Sequence, residues 1–179
     1  MIRELLERLT ANWRPRVIYD RAGVSPYLSR YYLVGRPYMA DGSAPIDRFG
    51  NPHPDAIFPR GIGLYLHRFH RSDDDTALHN HPWRWARSLI LAGGYIEERR
   101  IDGRVVRHVV RPGSWRRIDQ DDFHRVDLLE HDCWSLFIAG PKAASWSFWD
   151  RDTGETVPWR EFIARVRGSS WDGGERASA

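Results

Sequence analysis

The amino-acid sequence predicts an all-β fold, a jelly roll or other compact β-barrel, with one short helix at each end. Short runs rich in apolar and β-branched residues follow one another from residue 61 to residue 149, and turn residues separate them, as at Gly93-Gly94 and Pro112-Gly113. Short antiparallel strands at this spacing are typical of such barrels. The predicted strands are Gly61–Phe69, Trp85–Ala92, Tyr95–Arg100, Val105–Val110, Ser114–Ile118, Phe123–Leu129, Cys133–Ala139 and Ser145–Trp149.

The segments outside the barrel are predicted from helical spacing and from composition. Apolar residues at helical spacing predict an amphipathic helix from about Ile2 to Trp13, with Ile2, Leu5, Leu6 and Leu9 on its apolar side. One strand is expected at Ser29–Gly35, and residues 36–59 are expected to form a long flap or arm. Pro158–Val166 is predicted as a closing helix. We therefore expect one domain, in which residues 1–60 are helix and arm, 61–150 barrel, 151–167 closing helix and 168–179 a disordered tail.

Composition excludes several classes of protein. The net charge is only +3, and the cations are almost all arginines scattered among 24 acidic residues, so no basic track for nucleic acid is expected. No apolar run reaches the ~20 residues that a membrane helix requires. The single cysteine, Cys133, has no partner for an internal disulfide, and the charged N-terminal segment is unlike a signal peptide. We expect a protein of the reducing cytoplasm.

Three histidines are the main candidates for chemistry. In an extended segment, His79 and His81 point to one face, so both imidazoles can reach one metal ion. A neighbouring strand that begins near His124 can supply a third nitrogen. Three neutral imidazoles with open coordination positions suit a catalytic Zn, Fe, Cu or Ni ion better than a closed structural site.

The order of these motifs resembles the cupin superfamily. The residues that match are His79-x-His81 with Gly93 or Gly94, then Pro112-Gly113 and His124, so the resemblance covers roughly residues 61–141. It implies a cupin-type jelly-roll β-barrel with His79, His81 and His124 as metal ligands. Cupins usually add a glutamate after the second histidine, where this chain has Trp85 and Ala86. Such a site resembles three-histidine non-haem iron dioxygenases, although the missing ligand also fits a cupin that has lost its metal.

Three further residues are expected in the pocket. Arg87 has the parity of His79 and His81, so it is predicted either to clamp an anionic substrate or to pair with an acidic neighbour such as Glu97. Strand alternation admits Glu97 or Glu98 to the interior but not both, and either can replace the missing ligand. His70 shares the parity of Leu64 and Leu66, which are expected to pack inward. His70 is therefore a better pocket candidate than His67, with an ordinary polar role as its alternative.

Aromatic and acidic residues near these motifs have open roles. Trp83, Trp85, Trp115 and Trp134 can wall an aromatic pocket, although core packing is expected for at least half of them. Asp121 or Asp122 is expected to shape a turn or to orient an imidazole.

The leading functional prediction is a metal-binding cupin enzyme, a non-haem Fe(II) dioxygenase that acts on a small anionic or aromatic metabolite. Fe(II) is favoured, and Zn, Mn or Ni are alternatives. Other hypotheses are a non-catalytic cupin that binds or senses a ligand, a metal-free sugar epimerase or isomerase, and an interaction protein. The expected partners are the small-molecule substrate and a second copy of the chain in a homodimer.

Overall fold

Two antiparallel β-sheets face each other in this protein. The computed structural model describes residues 1–20, 22–43, 45, 56–57, 61–74 and 76–167. In chain order the elements are α1 (Ile2–Thr10), β1 (Arg16–Tyr19), β2 (Pro26–Val34), β3 (Gly63–Phe69), β4 (Leu78–His79), β5 (Trp85–Ala92), β6 (Tyr95–Ile101), β7 (Arg104–Val110), β8 (Trp115–Asp119), β9 (His124–Leu128), β10 (Cys133–Ala139), β11 (Ser147–Trp149), β12 (Thr156–Pro158) and α2 (Trp159–Arg167). The first sheet has the order β1-β2-β3-β10-β5-β8, and the second has β12-β11-β4-β9-β6-β7.

The space between the sheets is filled from both sides. Along β5, Ala86, Ser88 and Ile90 are buried at alternate positions while the residues between them are partly exposed. Ile90 packs with Val126 of the second sheet in a cluster that joins the two layers. The predicted all-β jelly-roll fold with two short helices is confirmed.

The chain passes from one sheet to the other at Gly93-Gly94, between β5 and β6. Gly93 has a φ of +74°, which favours glycine. A β-carbon there would lie 2.2 Å from the Asp132 carbonyl oxygen, a distance that no contact permits. Glycine is therefore required both for the backbone angle and for the close approach of the neighbouring strand.

The outer face of the first sheet is covered by α1. Leu6 packs with Tyr31, Leu66 and Trp134 on that face. The helix ends at Thr10, earlier than the predicted Trp13. The buried side of the helix is narrower than predicted: of the four apolar residues expected there, Leu6 is buried, whereas Ile2, Leu5 and Leu9 are exposed.

Ion pairs hold α1 onto the sheet beside its narrow apolar contact. Arg68 donates to Glu7 of the helix at 2.8 Å and to Asp132 at 2.9 Å, and Arg3 Nε lies 2.8 Å from the same Asp132 carboxylate. Asp132 is almost fully buried, so these pairs are screened less than surface pairs. The helix is therefore docked by charge as well as by Leu6.

The predicted strands agree closely with the observed ones, and β5 and β10 have the predicted bounds. Strand β2 begins at Pro26, before the predicted Ser29, and the short strands β1 and β12 were not predicted. Most of the predicted arm and all of the predicted tail lie outside the described residues, and the division into segments stays a prediction. In the described part of the chain, neither helix has the length and apolar character needed to cross a membrane.

Candidate metal centre

Three histidines from neighbouring segments of the second sheet converge on one point. His79 on β4 pairs directly with His124, the first residue of β9. His81 follows two residues after His79, and its ring centroid lies 5.3 Å from that of His79 and 5.0 Å from that of His124. One nitrogen from each ring lies within 4.8 Å of the others. The structure therefore brings together the three predicted ligands.

The spacing of these nitrogens fits a metal ion. His81 Nε2 and His124 Nε2 are 2.9 Å apart. Two ligands at right angles around an ion, with metal–nitrogen bonds of about 2.1 Å, would be about 3.0 Å apart. A set of three imidazoles without thiolates suits a divalent transition metal. The three histidines therefore fit the divalent metal ion that the sequence predicted.

Glu97 fixes the orientation of His124. His124 Nδ1–H donates to Glu97 Oε1 at 2.9 Å, so the unprotonated Nε2 is turned to the cluster. Burial alone would raise the pKa of Glu97, but the hydrogen bond from His124 and the charges of Arg99 and Arg116 outweigh it and hold the pKa well below its usual range. Glu97 is thus a fixed anion behind the ligand.

His79 has an acidic residue near its ring, Asp73, that was not among the predicted site residues. Asp73 Oδ2 lies 4.0 Å from His79 Nδ1. Two donors hold the Asp73 carboxylate in place, the Tyr27 hydroxyl at 2.6 Å and the Val126 backbone N–H at 2.7 Å. Asp73 therefore stands near His79 as Glu97 stands behind His124, and the Ser72–Asp75 cluster of turn residues was its only signal.

Burial keeps His81 in the neutral form that binds metals. The pKa of His81 is lowered well below its usual value, first by burial and then by the neighbouring His124 and His79. Trp83 stacks on the His81 ring with centroids 5.5 Å apart, and Phe137 lies 6.1 Å away. The expected aromatic wall therefore exists at Trp83, on the side of the cluster that faces the first sheet.

A second aromatic group supports His79 from the C-terminal side. Phe148 of β11 lies opposite His79 in register, with ring centroids 6.0 Å apart, and Trp146 is 6.2 Å from His79. These two rings stack on Phe162 and Trp159 of α2 at 4.2 Å and 5.4 Å. The closing helix is thereby in contact with the cluster through one layer of side chains.

Arg87 lies on the outer face of the first sheet, so the prediction that it shares a face with His79 and His81 is wrong. Its neighbour Ala86 packs in the interior cluster, so the next residue must point outward. Arg87 lies over the Trp85 ring, at 5.6 Å, and 3.8 Å from Asp119. Alternation from His81 failed because the extended segment is interrupted between β4 and β5, which shifts the parity by one residue.

The interior position after the paired histidines is held by Ala86, so it offers no carboxylate. Glu97 does face the cluster, but both of its oxygens already accept hydrogen bonds, from His124 and Arg99 on one and from Arg116 on the other. It therefore orients a histidine instead of replacing the missing ligand. Glu98 points away and pairs with Arg151 at 2.6 Å.

His70 is also placed differently from the prediction. Leu66 faces α1, so His70, which has the same parity, lies on that side and bonds Ser29 at 2.8 Å. His67 faces the interior instead, fully buried and stacked on Phe137 at 4.8 Å. The face was misassigned because leucines were expected inward, whereas α1 gives the outer face of β3 an apolar covering of its own.

The other residues singled out have structural places. Asp122 accepts from the Asp119 backbone N–H at 2.7 Å and shapes the turn before β9, as expected. Trp134 is buried under α1, whereas Trp115 is exposed. A surface depression on the outer face is lined by Arg84, Trp85, Arg87, Arg117 and Asp119.

The sequence itself matches no family model and no curated protein. The structure is similar to DMSP lyase DddQ from Ruegeria pomeroyi DSS-3, with 18% identity and a TM-score of 0.50 over 78% of this chain and 61% of that chain. It is also similar to a chain from the crystal structures of the DMSP lyases RdDddP and RnDddQII, with 14% identity and a TM-score of 0.51 over 79% of this chain and 63% of that one. A weaker similarity, to KdgF from Halomonas sp., has 17% identity and a TM-score of 0.42 over 67% and 85% of the two chains.

The chain spans less than two-thirds of either lyase structure. At these identities the similarity concerns the fold, and the fold is that of cupin-family structures. The predicted resemblance, made from the order of His79, His81, Pro112-Gly113 and His124, is confirmed at this level. This chain has the cupin fold.

Proposed function

We propose that this protein is a metal-dependent cupin enzyme of the non-haem Fe(II) dioxygenase type, acting on a small anionic or aromatic metabolite. The observation that supports it most is the cluster of His79, His81 and His124, where the interior position for a fourth ligand is Ala86. Three imidazoles would hold Fe(II) and leave coordination positions open for a substrate and dioxygen.

The side chains around the cluster have separable tasks in this proposal. His79, His81 and His124 hold the ion, and Glu97 keeps the His124 proton on Nδ1. The Trp83 ring covers His81 and limits access of water to that side.

A second candidate is a metal-dependent lyase that removes a proton from its substrate. Burial alone would raise the pKa of Tyr32, but the charges of Arg30 and Arg16 and hydrogen bonds from them lower it. A tyrosine with a lowered pKa is a candidate general base. Tyr32 packs on Tyr65, and Tyr65 packs on Trp83 beside His81. Tyr32 therefore lies on the same side of the histidine cluster as Trp83. Two structurally similar proteins are named DMSP lyases, which is compatible with this candidate.

The first experiment is metal analysis of untagged protein after anaerobic incubation with Fe(II), Mn(II), Ni(II) or Zn(II). Wild type should retain about one ion per chain, and H124A should lose it. His70→Ala is the matched control, because His70 lies on the α1 side, and it should retain the ion. A wild type that retains none of the four metals would refute both candidates.

The second experiment separates the two candidates by their need for oxygen. Fe(II)-loaded protein is given a panel of small carboxylic acids and phenols in an oxygen electrode and, in parallel, under argon. Oxygen uptake that matches product formation supports the dioxygenase, whereas equal product formation under argon supports the lyase. The expected homodimer and cytoplasmic location stay predictions, and light scattering after gel filtration tests the first.

A further inference from the structure

Arg30 places a positive charge on the inner face of the first sheet, beside the candidate metal centre. Its guanidinium lies over the ring of Tyr65 at 5.1 Å and over that of Trp83 at 5.4 Å. Within the described ranges no carboxylate pairs with it, and its side-chain hydrogen bonds go to His67, from Nε to Nε2 at 2.9 Å, and to the Tyr32 hydroxyl. A guanidinium set against aromatic rings, with donors still free and no paired carboxylate, is suited to bind a carboxylate in a bidentate manner.

The hydrogen bond from Arg30 determines which nitrogen of His67 carries the proton. Arginine can only donate, so His67 Nε2 accepts and its proton must be on Nδ1. Burial, followed by the charges of Arg30 and Arg16, holds the pKa of His67 well below its usual range, so the ring is neutral. The buried Nδ1 has no hydrogen-bond partner among the described residues. An N–H group in this state is stabilised by any acceptor that reaches it.

A third donor completes a row across the sheet. Ser135 of β10 lies opposite His67 of β3, which in turn lies opposite Arg30 of β2. Residues in register on adjacent strands share a face, so the three side chains form one cross-strand row. The Ser135 hydroxyl is fully buried, and in the described part of the chain it too has no partner. The row therefore presents a cation and two unused donors, a combination that favours an oxyanion.

The row adjoins the metal centre through two shared rings. Trp83 contacts both the Arg30 guanidinium and the His81 ring, at 5.4 Å and 5.5 Å. Phe137 contacts both His67, at 4.8 Å, and His81, at 6.1 Å. The row and the three histidines are therefore separated by one aromatic ring.

We infer that Arg30, His67 and Ser135 form a carboxylate-binding subsite, which makes the substrate a small carboxylic acid whose other end lies at the histidine cluster. This inference rests on the proposed function and gives it a substrate class. It also assigns to Arg30 the anion-binding role that was predicted for Arg87, which lies on the outer face.

The test uses benzoate as the probe and benzamide, of the same shape but uncharged, as its control. Wild type should bind benzoate more tightly than benzamide in titrations followed by tryptophan fluorescence. R30M should weaken benzoate binding by about ten- to a hundredfold, because a charge-assisted pair is lost, and should leave benzamide unchanged. S135A should weaken benzoate binding by about threefold or more, the effect of one hydrogen bond.

Arg87→Met is the matched control, since Arg87 is another arginine on an aromatic ring but faces outward. It should bind benzoate as wild type does. If R30M unfolds, as judged by circular dichroism, R30K takes its place, because it keeps the charge but not the bidentate geometry and should still weaken benzoate binding. The inference is overturned if wild type shows no benzoate binding at millimolar concentrations, if benzamide binds equally well, or if R30M and R87M behave alike.

Metal content measured on the same samples separates this inference from the proposed function. Metal retention without Arg30-dependent benzoate binding overturns the subsite and leaves the metal enzyme. Arg30-dependent benzoate binding by a wild type that retains no metal supports the subsite as a ligand site and overturns the metal enzyme.

Discussion

Replacing Glu97 with glutamine should weaken both metal binding and folding, for different reasons. The glutamine has the same shape, but its amide offers one acceptor oxygen where the carboxylate offers two. Glu97 receives His124 Nδ1–H and Arg99 on one oxygen and Arg116 on the other. In E97Q the amide NH₂ must face one of these donors, so either His124 or Arg116 loses its acceptor.

The metal effect follows from His124. An amide oxygen holds the His124 Nδ1–H less firmly than a carboxylate does, and an amide NH₂ does not accept it, so in either orientation the ring is freer to carry its proton on Nε2, the nitrogen that faces the cluster. Loss of such a partner typically lowers metal affinity by about ten- to a hundredfold. E97Q should therefore retain the metal-binding stoichiometry of wild type but require that much more free metal for half-saturation.

The folding effect follows from the arginines. Glu97 is fully buried, and removing one partner of a buried ion pair typically costs about 3–5 kcal/mol. The neutral amide removes the buried negative charge in either orientation, and Arg99 keeps Asp122 and the Arg117 carbonyl oxygen as acceptors, so the loss of an ion-pair partner falls mainly on Arg116. We expect the metal-free variant to lose about 3 kcal/mol of unfolding free energy in urea titrations, the low end of that range.

Glu98→Gln supplies the matched control, because the adjacent carboxylate also pairs with arginines but faces away from His124. Its partners Arg107, Arg125 and Arg151 are partly exposed or exposed. E98Q should lose about 1 kcal/mol of stability, as pairs near solvent do, and keep wild-type metal affinity. Equal metal affinities of E97Q and E98Q, or loss of the metal by E98Q alone, would contradict a role of Glu97 in orienting His124.

Two further predictions concern the stability of the metal-free protein. His67 has a lowered pKa in the folded state, so its contribution to stability is present above the unfolded pKa of about 6.5 and is lost as the pH falls. Unfolding free energies measured between pH 7 and pH 5 should fall by up to about 1.4 kcal/mol per unit from this residue, and H67Q should show a shallower slope; equal slopes would contradict its burial in the neutral form. G93A should lose about 3 kcal/mol or more of unfolding free energy, because the added β-carbon meets the Asp132 carbonyl oxygen. Gly103→Ala is its control: Gly103 has a similar φ of +76° but open space around it, so this variant should lose only about 1 kcal/mol. Equal losses in the two variants would mean that the backbone angle alone, and not the close contact, accounts for the effect.

The barrel strands could be predicted because each carries a local pattern of its own. Strands β5 and β10 lie between clear turns and were predicted to the residue. Strand β12, by contrast, has three residues and exists only because it pairs with β11. Elements this short have no periodicity to detect, so their pairing is a property of the tertiary fold.

The three histidines could be predicted from spacing, whereas the residues around them could not. Hydrophobicity placed Leu66 inward and so chose His70, because the usual rule assumes that the barrel interior is apolar. In this protein the interior of β3 carries Tyr65 and His67, and α1 covers Leu66 on the outside. A strand buried on both faces gives no polarity signal for its orientation. Arg30 was missed for the same reason, since only strand pairing brings it beside His67.

The aromatic layer between His79 and α2 gives the helix and the candidate metal site a shared set of contacts. Phe148 touches the His79 ring on one side and Phe162 of the helix on the other. If docking of the helix narrows the positions open to His79, it raises the affinity for metal, and linkage then requires that metal strengthen docking by the same factor. In that case a change in α2 would act on the metal centre without touching any ligand.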